Sequence, residues 1–245
     1  KYRNEITSLL KLKSYDRPSS PFDPYKYEER LDKKDRFSGR EIDKLWAENL
    51  LDGGYILHFR HTEREKWIDV EKYDSLESDV HMNGKNGTRF SENDYFSKAV
   101  CLNSRGKVQA RAIGEHLKNI SFPIGYIISS PSCRARQTAE LGFGKYSKLD
   151  RNLVHAGPYT EDINKRAKIL RDLYLEIPLV KDKNSIVSSH NGVLMPQMFD
   201  NVNSLPKTIT LSEGGFYVIS RKSGKLILEH EFDHFRSFIR HFYKW

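Results

Sequence analysis

An α/β fold built on a mostly parallel sheet is what three features of this chain predict. Short apolar runs alternate with amphipathic helical stretches from residue 55 to residue 199. Two β-rich runs near the end are joined by Lys222-Ser223-Gly224, a hairpin signal. A chain of 245 residues can also bury one sizeable core without dividing. Helical crossovers between parallel strands cover both faces of a sheet, so three layers are expected, with one antiparallel strand supplied by the hairpin.

The elements follow in order. Residues 1–37 carry Pro18-Ser19-Ser20-Pro21, Pro24 and many charges with little apolar periodicity, which reads as an extended arm or linker ahead of a domain over 38–245. Ser38 and Glu41 form a capping box, Leu45, Trp46, Leu50 and Leu51 an apolar side, and Gly53-Gly54 a stop. A strand is expected over 55–60, then a polar and aromatic insertion over 65–100, long enough to act as a substrate lid. A helix over 104–119 turns Val108, Ala112, Ile113 and Leu117 inward, followed by a strand over 125–129 and a helix over 132–142. Next come a strand over 149–154 and a helix over 160–176 facing in through Ile163, Ala167, Leu170 and Leu173 or Tyr174. A strand over 185–189, a helix near 192–199, strands over 215–221 and 225–231, and a terminal helix through Phe235, Phe238, Ile239 and Phe242 complete the reading.

Chemistry concentrates at three of the strand ends. His58-Phe59-Arg60-His61-Thr62-Glu63 places a guanidinium beside an imidazole where the first strand empties into a loop, the end at which open parallel sheets bind ligands. Ser129-Ser130-Pro131-Ser132-Cys133-Arg134 ends the second strand and opens a helix, and a cation there is disfavoured by the helix dipole unless an anion is present too. Ser188-Ser189-His190-Asn191-Gly192 ends a later strand with a second imidazole. An imidazole next to guanidinium groups can meet a phosphoryl group as nucleophile beside clamp.

These segments, in this order, resemble the histidine phosphatase superfamily, the phosphoglycerate-mutase-like enzymes of branch 1. Leu102-Asn103-Ser104-Arg105-Gly106-Lys107-Val108-Gln109-Ala110 adds a fourth match, to the helix start of that family, and the resemblance spans residues 52–232. It implies a phosphatase that hydrolyses a phosphomonoester through a phosphohistidine on His61. Arg60 and Arg134 would grip the phosphoryl oxygens, His190 would stabilise the same charge, and Thr62 and Arg64 would be further substrate contacts. It also implies a small phosphorylated substrate and no metal or other cofactor, since side chains supply the cations. Two departures matter. Thr62 stands where the family has glycine, narrowing the pocket floor, and His155 stands where many members have the glutamate that protonates the leaving group. Glu63, His155, Glu161 and Asp162 remain open as the acid, with His155 and Glu161 counted in the catalytic set. A non-catalytic member that binds a phosphorylated ligand is a further possibility.

The same residues offer other patterns. His230-Glu231-Phe232-Asp233-His234 matches the pattern of zinc peptidases, which needs a helix to align its imidazoles, yet 225–229 reads as strand. Cysteine-phosphatase chemistry needs an arginine six places after the thiolate, but Ala139 follows Cys133 and Lys107 follows Cys101 at that distance. Two cysteines make no disulfide framework, and Cys133 is expected as a small apolar residue under the pocket. The net charge of +8, from 41 basic and 33 acidic residues, suits anionic partners. Its scattered placement argues against nucleic acid. No apolar stretch reaches membrane-spanning length. Lys1 in place of an initiating methionine leans toward an exported or periplasmic protein from which an upstream segment has been removed.

Overall fold

The computed structural model describes residues 41–65, 100–154, 162–207 and 209–243. The expected arm over 1–37, the cap at Ser38 and all but the ends of the insertion fall outside these residues. Helix α1 (Glu41–Asn49) leads into strand β1 (Ile56–Arg60); α2 (Ser104–Asn119), β2 (Ile124–Ser129) and α3 (Cys133–Gly142) follow. After β3 (Lys148–Leu149) come α4 (Ile163–Glu176), β4 (Asn184–Ser189), the hairpin β5 (Phe216–Lys222) and β6 (Lys225–Phe232), and α5 (Phe235–Ile239).

The six strands lie in the order β3-β2-β4-β1-β5-β6. The pairs β1–β4, β4–β2 and β2–β3 are parallel, whereas β5 runs antiparallel to both β1 and β6. This is the mostly parallel sheet with one antiparallel strand that the hairpin predicted. Side chains alternate across β1, so its two faces feed two cores. Ile56 joins α4 residues Ala167, Leu170 and Tyr174 on one side, while Leu57 and Phe59 pack with Ile113, Leu117, Ala139 and Phe238 from α2, α3 and α5 on the other.

Several expected inward positions prove exposed, for a consistent reason: the buried stripes are narrower and of smaller residues than hydropathy suggests. Along α2 the stripe is Gly106, Ala110, Ile113 and Leu117, with Val108 64% exposed. Small residues are needed there because α2 lies close to α3: a Cβ on Gly114 would come within 2.8 Å of the Gly142 carbonyl. In α1 the buried side is Asp43, Ala47 and Leu50, leaving Leu45 and Leu51 exposed. Asp43 is tolerated because its carboxylate lies 2.8 Å from His230 Nε2, whose ring stacks on Trp46. Ile163 at the start of α4 is likewise exposed.

Two segments are less regular than expected. Over 149–154 the strand stops at Leu149, because the Asp150 carboxylate accepts from the Asn152 N–H and starts a 3-10 turn, Arg151–Leu153. In place of a helix over 192–199 there is a single 3-10 turn, Pro196–Met198. Met195 precedes a proline, which disfavours helical geometry there.

His58, at the centre of β1, is a core residue. Its Nδ1 lies 2.5 Å from the Tyr174 hydroxyl and its Nε2 3.3 Å from the His190 carbonyl. A neutral ring satisfies both, accepting from the phenol and donating to the carbonyl. Burial pushes the His58 imidazole down to about 4 from 6.5 and raises the Tyr174 phenol well above its usual range. Both groups therefore stay uncharged.

Two predictions follow from this packing. The unfolded chain takes a proton on His58 below pH 6.5 and the folded chain only near pH 4, so this residue's contribution is complete above pH 6.5 and is lost as pH falls through that window. Its share is about 3 kcal/mol, and urea unfolding of His58→Gln between pH 4 and 7 should show a correspondingly shallower pH dependence. A Cβ on Gly106 would sit 1.9 Å from the Glu63 carbonyl oxygen, so Gly106→Ala should lose about 2–3 kcal/mol in the same assay. A loss under about 0.5 kcal/mol would contradict the close approach.

Candidate active site

The parallel register aligns the chemistry. Arg60 pairs with Ser189, and Ser188 with Ser129, so the next residue of each strand emerges at the same edge of the sheet. The pairing continues one step beyond the strands: the His61 N–H donates to the Ser189 carbonyl at 2.9 Å and the Ser130 N–H to the Ser188 carbonyl at 2.9 Å. His61, Ser130 and His190 thus leave three adjacent strands side by side. Pro131 and Ser132 then turn the chain into α3, whose second residue is Arg134.

His61 is buried, and its Nδ1 donates to the Thr62 carbonyl at 2.7 Å. That bond places the proton on Nδ1 and leaves Nε2 with its lone pair. Burial, then Arg134 and Arg60, hold the imidazole pKa well below its ordinary value, so the ring is neutral at physiological pH. The His190 ring centroid lies 5.3 Å from that of His61, the planes at 59°, and His190 Nε2 is 3.0 Å from Ser130 Oγ.

The two arginines are fixed differently. Arg60 Nη1 donates to the Leu211 carbonyl at 2.5 Å, and Nη2 lies 3.5 Å from Glu213. Burial lowers its pKa, Glu213 opposes the shift, and Arg134 adds to it. Arg134 is 1% exposed, and its Nη1 donates to Ser132 Oγ at 3.0 Å and, at 3.5 Å, to the Val100 carbonyl. Ser132 is the N-cap residue of α3, but its hydroxyl serves Arg134 rather than the helix N–H groups. Guanidinium groups from two elements are close enough to repel one another and to disfavour a proton on His61, the arrangement that an oxyanion relieves.

The remaining predicted residues separate clearly. Thr62, expected against substrate, has its donors committed inward: the hydroxyl donates to the Gly106 carbonyl at 2.8 Å and the N–H to Thr138 Oγ1 at 3.0 Å. It braces α2 and α3 against the loop after β1. Arg64 donates to the Glu65 carbonyl and adds to the positive field at His61. Glu63 accepts from Asn103 at 3.0 Å and pairs with Arg105 at 3.2 Å. Asp162 caps α4 by accepting from the N–H groups of Asn164 and Lys165. Glu63 and Asp162 thus make structural contacts, and the other two candidate acids, His155 and Glu161, lie outside the described residues.

The zinc alternative is overturned. His230 lies on β6 and His234 is the N-cap residue of α5, so they share no helix face. Among the described residues no group of three potential ligands gathers. Asp233 receives the N–H and hydroxyl of Ser212.

Three features escaped the sequence reading. Cys101 and Cys133, expected to be unlinked, form a disulfide; 32 residues separate them, and nothing in their spacing marks the pair. Glu213 beside Arg60 was overlooked, although a loop entering an antiparallel strand must lie at the carboxyl edge of its parallel neighbours. Asn191 grips Leu211 through both ends of its amide, Nδ2 to the carbonyl and Oδ1 from the N–H, each at 2.9 Å. The same Leu211 carbonyl holds Arg60, so the loop after β4 and the first guanidinium share one anchor.

Residues 94–151 match the profile of the Histidine phosphatase superfamily (branch 1). No curated protein matches the chain in sequence. Among solved structures, the product of open reading frame Rv3214 from Mycobacterium tuberculosis aligns at 17% identity and a TM-score of 0.45, covering 72% of this chain and 96% of that one. The protein histidine phosphatase SixA, complexed with tungstate, aligns at 16% and 0.43, covering 72% and 95%. Phosphoserine phosphatase from Entamoeba histolytica, in complex with 3-phosphoglyceric acid, aligns at 16% and 0.42, covering 72% and 95%. The matched segment contains the helix start Leu102–Ala110 and Arg134, two of the four segments that carry the resemblance, and over this stretch the chain is similar to branch 1 of the histidine phosphatase superfamily.

Proposed function

We propose that the protein is a metal-independent phosphatase that hydrolyses a phosphomonoester through a phosphohistidine on His61. The observation that carries this reading is the state of the His61 ring: neutral, with Nδ1 tied to the Thr62 carbonyl and Nε2 left as a nucleophile within the field of Arg60 and Arg134. Nε2 attacks phosphorus in line, and the P–O bond to the leaving alcohol breaks. Arg60, Arg134 and His190 hold the equatorial oxygens, whose charge persists throughout transfer. Water then attacks the phosphohistidine, releasing inorganic phosphate and returning Nε2.

The proton for the leaving oxygen is assigned to the segment containing His155 and Glu161. Glu63 and Asp162 are committed elsewhere, and the chain enters this segment near the site: the Leu153 carbonyl accepts from Ser189 Oγ at 2.8 Å, one residue from His190. The insertion rejoins the described chain at Val100, whose carbonyl meets Arg134.

Hydrolysis of p-nitrophenyl phosphate, measured with and without a chelator, tests the reading. Wild type should turn over equally in both conditions, and His61→Ala should lose about 10³-fold or more of kcat. Arg134→Ala should lose about 10²-fold in kcat/KM. Phosphate binding without turnover would instead support a non-catalytic member, and chelator-sensitive hydrolysis would contradict the mechanism.

A further inference from the structure

The disulfide joins the two chain segments that hold the guanidinium of Arg134. Cys133 stands between Ser132 and Arg134 at the start of α3, and Cys101 follows Val100. Arg134 Nη1 reaches Ser132 Oγ on one side of the bridge and the Val100 carbonyl on the other. Both half-cystines are buried, yet with Val100 they form a three-residue cluster separate from the two main cores. Among the described residues, this cluster offers little apolar area to hold residues 100–102 against α3. The Leu102 N–H also donates to Gln137 Oε1 of α3 at 2.8 Å, and Leu102 bridges to Arg64 in the loop after β1. Arg134 itself sits where both the helix dipole and Arg60 oppose a cation, so without substrate its position depends on what surrounds it.

We infer that the Cys101–Cys133 cystine is a positioning element for Arg134, and that phosphate affinity consequently depends on the oxidation state of this pair. The inference rests on the phosphatase reading of the site for its link to turnover, but not for its link to phosphate binding. Reduction by an external dithiol transfers two electrons and two protons: the S–S bond becomes two thiols and the dithiol becomes a disulfide. Leu102 stays anchored through Gln137 and Arg64, but Val100 and Cys101 lose their covalent link to α3, so the Val100 carbonyl releases the guanidinium and only the Ser132 side of the grip is kept.

The test measures inorganic phosphate binding by calorimetry and ester hydrolysis for oxidised wild type, dithiol-reduced wild type with thiols counted by mass spectrometry, and Cys101→Ala/Cys133→Ala. Loss of the bridge should weaken phosphate binding and raise KM by about tenfold, with kcat changed less. In an Arg134→Ala background, removing the bridge should change phosphate affinity less than about twofold, because the effect acts through that side chain. If the double cysteine variant does not fold, reduced wild type supplies the same comparison. A lowered Tm with unchanged KM and phosphate affinity would mean a purely structural staple and overturn the inference. So would an undiminished effect in the Arg134→Ala background, or two free thiols in protein purified in air. If oxidised wild type binds phosphate but hydrolyses no ester, the phosphatase reading fails, and the calorimetric comparison still decides the role of the bridge.

Discussion

Mutual repulsion among buried cationic groups is the constraint around which this structure is organised. Arg134 is almost wholly buried and Arg60 largely so, and each lowers the pKa of the His61 ring. Among the described residues, the carboxylate recorded beside Arg60 is that of Glu213, at 3.5 Å. Buried cations cost folding free energy unless hydrogen bonds and countercharges hold them, and on the proposed reading an oxyanion would offset part of that cost on binding. Burial and then the same field hold the His61 pKa down, so in the proposed mechanism clamp and nucleophile activation would arise from one arrangement of charge.

Holding these groups requires a rigid frame. The parallel register β1–β4–β2 brings three strand ends level, and hydroxyls tie those ends to their surroundings. Ser188 donates to the Ala135 carbonyl in α3, Ser189 to the Leu153 carbonyl, and Thr138 Oγ1 both donates to the Arg134 carbonyl and receives the Thr62 N–H. Threonine at position 62 thus does work that a glycine would not, joining the nucleophile loop to α2 and α3. Beneath β4, the Tyr174–His58 pair supports the His190 carbonyl with neutral groups only, adding no further charge to an already crowded region.

The fold, and the gathering of Arg60, His61, Ser130 and His190 at neighbouring strand ends, were legible in the sequence because both depend on local patterns. Apolar runs ending in Arg60-His61, Ser130 and His190 identify strand ends, and the directionality of a parallel sheet then brings those ends together. What was not legible depends on tertiary contact. The outward turn of Val108 follows from a close α2–α3 approach through Gly114 and Gly142, which hydropathy does not register. The burial of Asp43 requires His230, 187 residues away. Glu213 acts on Arg60 from a loop with no motif, and two cysteines without a recognisable framework gave no reason to expect their bridge.

The central claim is that one oxyanion meets His61, His190, Arg60 and Arg134 together. A crystal structure with bound orthovanadate tests it most directly, since vanadium accepts the fifth ligand that phosphorus takes in the transition state. The account predicts a bond from His61 Nε2 to vanadium, with both guanidinium groups and the His190 ring on its equatorial oxygens. Vanadate bound elsewhere, or bound in this pocket with His61 turned away from it, would contradict the account.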